Sequence, residues 1–86
     1  MKAVLFHTFG GPEVLRHETA PDPAPKPGQV RVRLKAAALN HLDLFLRSGE
    51  REKNISLPHI PGCDGSGVVD ALGDGVASFR TGDRVY

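Results

Sequence analysis

The sequence predicts a mainly β domain with one short helix, in the form of a small and partly open barrel or sandwich. Three observations carry that reading. Ten Gly and seven Pro in 86 residues punctuate the chain too often for a helical bundle. Short apolar runs with strand character recur between the turns. Only one stretch, Leu39 to Leu46, repeats apolar residues at three- and four-residue intervals.

Taken in order, Lys2 to Phe6 (KAVLF) is a compact apolar run closed by the Gly10-Gly11-Pro12 turn and reads as the first strand. Val14 to Glu18 is a weaker strand. Pro21, Pro23, Pro25 and Pro27 alternate with other residues ahead of Gly28, fixing φ repeatedly and predicting a stiff, extended connection within one fold. Val30 to Ala36 alternates apolar and cationic residues, which predicts a strand with one packed and one wet face. Arg31, Arg33 and Lys35 then form a solvated face that discourages edge pairing.

Leu39, Leu42, Phe45 and Leu46 mark the apolar stripe of a short helix. Asn40 stands at its N-cap, Asp43 puts a negative charge in its first turn, and Gly49 is its C-cap. Glu50 to Asn54 is a polar loop. Leu57 to Pro61 runs extended because each residue before a proline is steered away from helical angles. Gly67 to Leu72 is a further strand, Gly73-Asp74-Gly75 a turn, and Arg84 to Tyr86 a strand opened by Thr81-Gly82-Asp83. An end inside that strand marks the chain as a segment of something longer.

Size and charge bound the function. A chain of 86 residues makes at most one domain, burying about 60–65% of its unfolded surface. Eleven basic against ten acidic side chains give a net charge of +1, too little to neutralise a row of phosphates or hold an anionic membrane. Nucleic-acid and membrane partners are not expected. One Cys forms neither an internal disulfide nor a structural zinc site. The start MKAVLF has no signal-peptide pattern, and a cytoplasmic location is expected. No dinucleotide fingerprint follows a strand, since after Gly73-Asp74-Gly75 the position that needs glycine is Ser78.

The chemistry concentrates in Pro61-Gly62-Cys63-Asp64-Gly65-Ser66-Gly67, where a thiol and a carboxylate sit among glycines that admit close approach. Two readings stand. In one, Cys63 is a small packed residue and Asp64 a turn former. In the other, both lie at the rim of a site with the helix N-terminus at Asn40. Of the four His, His7 and His17 read as solvated residues at strand ends and His59 as a surface residue, while His41 follows the N-cap and projects toward a site. A catalytic zinc normally takes three protein ligands, and no ligand spacing supports one here.

Three stretches in this order, MKAVLFHTFGGPEVL, PKPGQVRVRLKAAALNHLDLFLRSG and LPHIPGCDGSGVVDALGDGVASFRTGDRVY, resemble the start of the medium-chain dehydrogenase/reductase superfamily. That superfamily unites zinc alcohol dehydrogenases and zinc-free quinone oxidoreductases. The resemblance implies that residues 1–86 are the N-terminal part of a GroES-like catalytic domain, a partial β-barrel, with the Rossmann cofactor domain absent from this chain. It implies an NAD(P)H-dependent parent, using NADPH or NADH, that moves hydride to or from a small carbonyl, quinone or alcohol. The segment alone is expected to be inactive and the full-length parent a homodimer.

The resemblance also assigns residues. Asn40 falls where zinc members carry their first catalytic Cys, as in the quinone-oxidoreductase branch, and an amide is a poor zinc ligand. Cys63 falls on the ligand His and Asp64 on its neighbouring Glu. Zinc is therefore not expected, and Cys63 is the one candidate ligand. Asn40, Asp43 and Asp64 are implied catalytic positions, Asn40 and His41 cofactor-binding positions, and Cys63 part of the substrate-pocket wall. A different class of function, a free-standing GroES-like assembly or binding module without enzymatic activity, is the alternative.

Overall fold

The computed structural model describes residues 1–51 and 54–86. The chain is mainly β with one short helix, and its contacts divide it into two compact units: residues 1–21 with 39–63, and residues 22–38 with 64–86. Among the described residues, no helix is long and apolar enough to cross a membrane.

In the first unit, β1 (Lys2–Phe6) pairs antiparallel with β2 (Leu15–Thr19), from Lys2 opposite Thr19 to Phe6 opposite Leu15. The weaker strand thus starts one residue later than predicted, because Pro12–Val14 forms a 3-10 turn with proline at its start. Leu5, Phe6 and Ala20 are buried, with the Phe6 side chain fully enclosed. Its ring meets those of Phe9 and His59 at centroid distances of 6.2 Å and 5.5 Å. His59 is half-buried rather than on the surface, because its backbone N–H and C=O both bond to those of Phe6 at 3.0 Å. The extended path predicted for Leu57 to Pro61 is bent at Leu57 and Pro58, which are joined by a cis peptide bond. His7 is exposed but paired, its Nε2 lying 3.0 Å from Glu18 Oε2 on the neighbouring strand.

The helix α1 (His41–Ser48) lies where the periodicity places it. Asn40 caps its start with an oxygen that accepts the Leu42 N–H at 3.3 Å. Gly49 ends it at φ 77°, the left-handed geometry of a C-cap, with its N–H donating to the Phe45 carbonyl. A Cβ at Gly49 would stand 2.9 Å from Phe9 Cγ, so glycine meets both the angle and the space. The Gly10 N–H donates to the Arg47 carbonyl at 2.9 Å and Arg47 Nε donates to the Gly10 carbonyl at 3.2 Å, fastening the far end of the helix to the turn after β1. Leu39 departs from the predicted stripe, preceding the helix and remaining 93% exposed. The predicted loop Glu50 to Asn54 includes residues 52 and 53, which lie outside the described residues.

The second unit is a three-stranded antiparallel sheet in the order β3 (Val30–Ala38), β4 (Asp64–Leu72), β5 (Arg84–Val85). Strands β3 and β4 outrun their predicted bounds because the Ala36–Ala38 segment pairs with Asp64–Ser66 across the ladder. Gly67 makes close pairing possible, since a Cβ there would lie 2.1 Å from the Arg33 carbonyl oxygen. The ladder shifts register twice, between Arg31 and Val32 and between Leu34 and Ala36. These shifts break the two-face alternation expected for β3, and Leu34 is 60% exposed where a packed face was predicted. Val69 on β4 is fully buried.

The basic side chains of β3 are not simply solvated. Arg31 Nε donates to Asp70 Oδ1 at 2.8 Å, and an Arg33 guanidinium nitrogen lies 3.5 Å from Asp70 Oδ2. The hydrogen bond and charge of Asp70 raise the Arg31 pKa above its ordinary value.

Candidate functional site at the N-terminus of the helix

The site is built by the first turn of α1. Asn40 holds extended angles and closes a reciprocal capping box, its side chain serving the first-turn N–H groups while Asp43 Oδ2 accepts the Asn40 N–H at 2.9 Å. Asp43 is only 7% exposed, the one buried charged residue among those described. Its second oxygen, Oδ1, accepts the backbone N–H of Gly62 at 2.9 Å. A buried carboxylate is costly without partners, and here two backbone donors and the positive end of a helix compensate it.

This carboxylate joins two segments separated in sequence: the N-cap of α1 at Asn40 and the glycine that opens Gly62-Cys63-Asp64. A depression of about 440 Å³ opens beside it, lined by Leu39, Asn40, His41, Asp43 and Leu44. The structure therefore brings together Asn40, His41 and Asp43. Cys63 is exposed and is not among the lining residues. Asp64 belongs to the second unit, where it opens β4 opposite Ala38. Both Cys63 and Asp64 are exposed, so neither is packed in a core.

The lining is polar on one side and apolar on the other. Asn40 supplies an amide, His41 an exposed imidazole, and the exposed Leu39 and Leu44 supply aliphatic surface. Sequence reasoning missed Leu39 and Leu44 as lining residues because it read one as part of the helix stripe and passed over the other. It also missed Gly62 as the partner of Asp43, for which the only signal was a glycine-rich stretch following a capped helix. Among the described residues there is no group of three His, Cys, Asp or Glu side chains placed to hold a metal ion.

A β scaffold carrying one short capped helix matches a partial GroES-like fold. The profile of the alcohol dehydrogenase GroES-like domain matches residues 26–86, and the chain belongs to that family, within the medium-chain dehydrogenase/reductase superfamily. The quinone oxidoreductase of Rattus norvegicus is 39% identical over 87 residues, an alignment covering 100% of this chain and 26% of the rat protein. A crystal structure of a NAD-dependent alcohol dehydrogenase is 56% identical, with a TM-score of 0.88, and is matched over 98% of this chain and 24% of its own. The quinone oxidoreductase of Escherichia coli, solved in complex with NADPH, is 34% identical with a TM-score of 0.88 over 98% of this chain and 26% of its own. The chain spans about a quarter of the length of these relatives.

Proposed function

We propose that this chain is the N-terminal, substrate-side part of an NAD(P)H-dependent oxidoreductase of the quinone-oxidoreductase or alcohol-dehydrogenase kind. The observation that carries the reading is the Asn40–Asp43 capping box, whose residues line one open depression at the helix N-terminus together with His41. Similarity over the whole chain to a quinone oxidoreductase supports it. The family supplies a cofactor whose nicotinamide carries the hydride. No dinucleotide fingerprint lies in these residues, so the fold that binds most of the cofactor belongs to the rest of the protein.

The residues present fit one end of such a group. The Asn40 oxygen accepts the Leu42 N–H, which sets this polar residue at the rim of the depression, where a carbonyl or carboxamide group would lie. His41 is exposed at the same rim, in reach of an anionic or ribose group. Leu39 and Leu44 exclude water from one flank of a small carbonyl compound, quinone or alcohol. The work of this segment is orientation and polarisation of the acceptor, and separated from the cofactor fold it is inactive. The parent acts on small molecules as a cytoplasmic homodimer, and its pocket works without zinc.

The test uses the full-length protein, with oxidation of NADPH and NADH followed spectroscopically in the presence of a simple quinone. Replacing Asn40 by Ala lowers kcat/KM for the quinone by about 10- to 100-fold, the range of a lost positioning contact, and His41→Ala raises the KM for the cofactor. Equal turnover in wild type and both variants contradicts the assignment. Zinc at one equivalent in the purified protein would contradict the zinc-free pocket. A closed ring that binds but turns nothing over would favour the assembly module instead.

A further inference from the structure

Charge on the three-stranded sheet is lopsided. Arg33 and Arg84 both oppose Val68, one from β3 and one from β5, and Lys35 falls between Leu34 and Ala36, where the ladder shifts register. Asp70 answers Arg31 at 2.8 Å and Arg33 at 3.5 Å. Asp64, the other carboxylate on these strands, opens β4 opposite Ala38. Lys35 and Arg84 stay exposed, and the side chains of Lys35, Arg84 and Ser66 have no hydrogen-bond or ion-pair partner among the described residues. These three side chains line one depression of about 350 Å³, which Val68 and Tyr86 line as well and no Asp or Glu does.

The donors are of three kinds. Lys35 brings an ammonium, Arg84 a planar fork of N–H groups and Ser66 a hydroxyl. Such a set suits a tetrahedral oxyanion, which accepts from several directions, better than a planar carboxylate, for which one arginine fork suffices. Two like charges at one depression repel, so an anion between them relieves a cost as well as forming bonds. Val68 and Tyr86 add aliphatic and aromatic surface against which an organic group can pack.

We propose that this depression binds a phosphate monoester other than the nicotinamide cofactor. Lys35 and Arg84 hold the phosphate, Ser66 donates a third hydrogen bond, and Val68 and Tyr86 carry the organic group. None of these residues lines the depression at the helix N-terminus.

The experiment titrates the full-length protein with phenyl phosphate and with inorganic phosphate in a calorimeter. One saturable site per chain is expected, with phenyl phosphate bound about 3- to 10-fold more tightly, the worth of an aromatic contact. Lys35→Gln and Arg84→Gln each weaken binding by about 10-fold, the loss of a charge-assisted hydrogen bond. Arg33→Gln changes it by less than twofold, because that guanidinium faces Asp70 and does not line the depression. An equal loss in Arg33→Gln would mean diffuse attraction to the sheet and overturns the proposal. So does the absence of saturable binding at about 10 mM of either compound, inorganic phosphate binding as tightly as phenyl phosphate, or displacement of phenyl phosphate by NADPH, which carries a phosphate monoester of its own. If a Gln variant does not fold, acylation of Lys35 in the wild type, read by peptide mass, decides. Phenyl phosphate slows that acylation severalfold if Lys35 holds the phosphate, and an unchanged rate overturns the assignment.

Discussion

Arg31 and Asp70 meet across a break in the β3–β4 ladder. Arg31 pairs with Ala71 and Val32 with Val69, so Asp70 is the extra residue of a bulge, and its carboxylate accepts from Arg31 Nε at 2.8 Å with Arg33 also at 3.5 Å. A bulge leaves a residue without a ladder partner, and this one is fixed by its side chain instead.

Asp70→Ala is expected to lower stability only slightly, because the pair is open to water and such pairs are weak. Arg31 gains its charge-stabilising partner in the folded state, which raises its pKa. Its contribution is therefore complete below the ordinary arginine range and is lost only as pH rises through the raised value. Thermal melts of wild type and Asp70→Ala should differ by the same few degrees at neutral and at mildly alkaline pH, and by less at high salt.

Gly67→Ala is expected to be the most damaging of these substitutions. The new Cβ would fall 2.1 Å from the Arg33 carbonyl oxygen, a backbone atom that cannot swing away, so two paired strands would have to separate. The cost is at or above about 3 kcal/mol, the upper end of ordinary overpacking. Loss of soluble protein, or an unfolding midpoint far below that of wild type, checks it.

Gly49→Ala tests the other end of the helix. At φ 77° an alanine is strained by about 1 kcal/mol, and contact with Phe9 at 2.9 Å adds to this. Phe9 is a side chain and can give way. The total is expected at about 1–3 kcal/mol in denaturant titration, smaller than for Gly67→Ala.

Much of this architecture is legible from residues alone, and the reasons differ by element. The helix was readable because three independent signals agreed: the spacing of Leu42, Phe45 and Leu46, the cap at Asn40 and the stop at Gly49. Lys2–Phe6 is readable from its compact apolar run and the Gly10-Gly11-Pro12 turn that follows. Strand ends were less so, because Ala36–Ala38 and Asp64–Ser66 have no strand character of their own and are held by pairing with each other. The bulges at Asp70 and Lys35 leave no mark on the alternation of Val30 to Ala36, which by itself puts Leu34 on a packed face. At the site, Asn40, His41 and Asp43 were legible from the cap. The bond from Gly62 was not, because a backbone donor has no residue signature.

Asn40 carries two roles that one pair of substitutions separates. Asn40→Ala removes the cap oxygen and should cost about 1 kcal/mol of stability, together with the pocket amide. Asn40→Asp keeps an acceptor for the Leu42 N–H and places charge favourably at the helix N-terminus, so stability should hold. It replaces the neutral amide at the rim of the depression by a charge, so kcat/KM of the full-length protein should still fall by about 10-fold or more. Equal activity in Asn40→Asp and wild type would leave Asn40 as a cap alone.

The most direct test of the central claim is turnover by the full-length protein: NADPH or NADH oxidation, monitored by loss of reduced-nicotinamide absorbance, with a quinone as acceptor. The account predicts quinone-dependent oxidation of one or both cofactors that persists after treatment with a zinc chelator and drops in Asn40→Asp. Absence of any quinone-, carbonyl- or alcohol-dependent turnover with either cofactor in a folded full-length protein would contradict it.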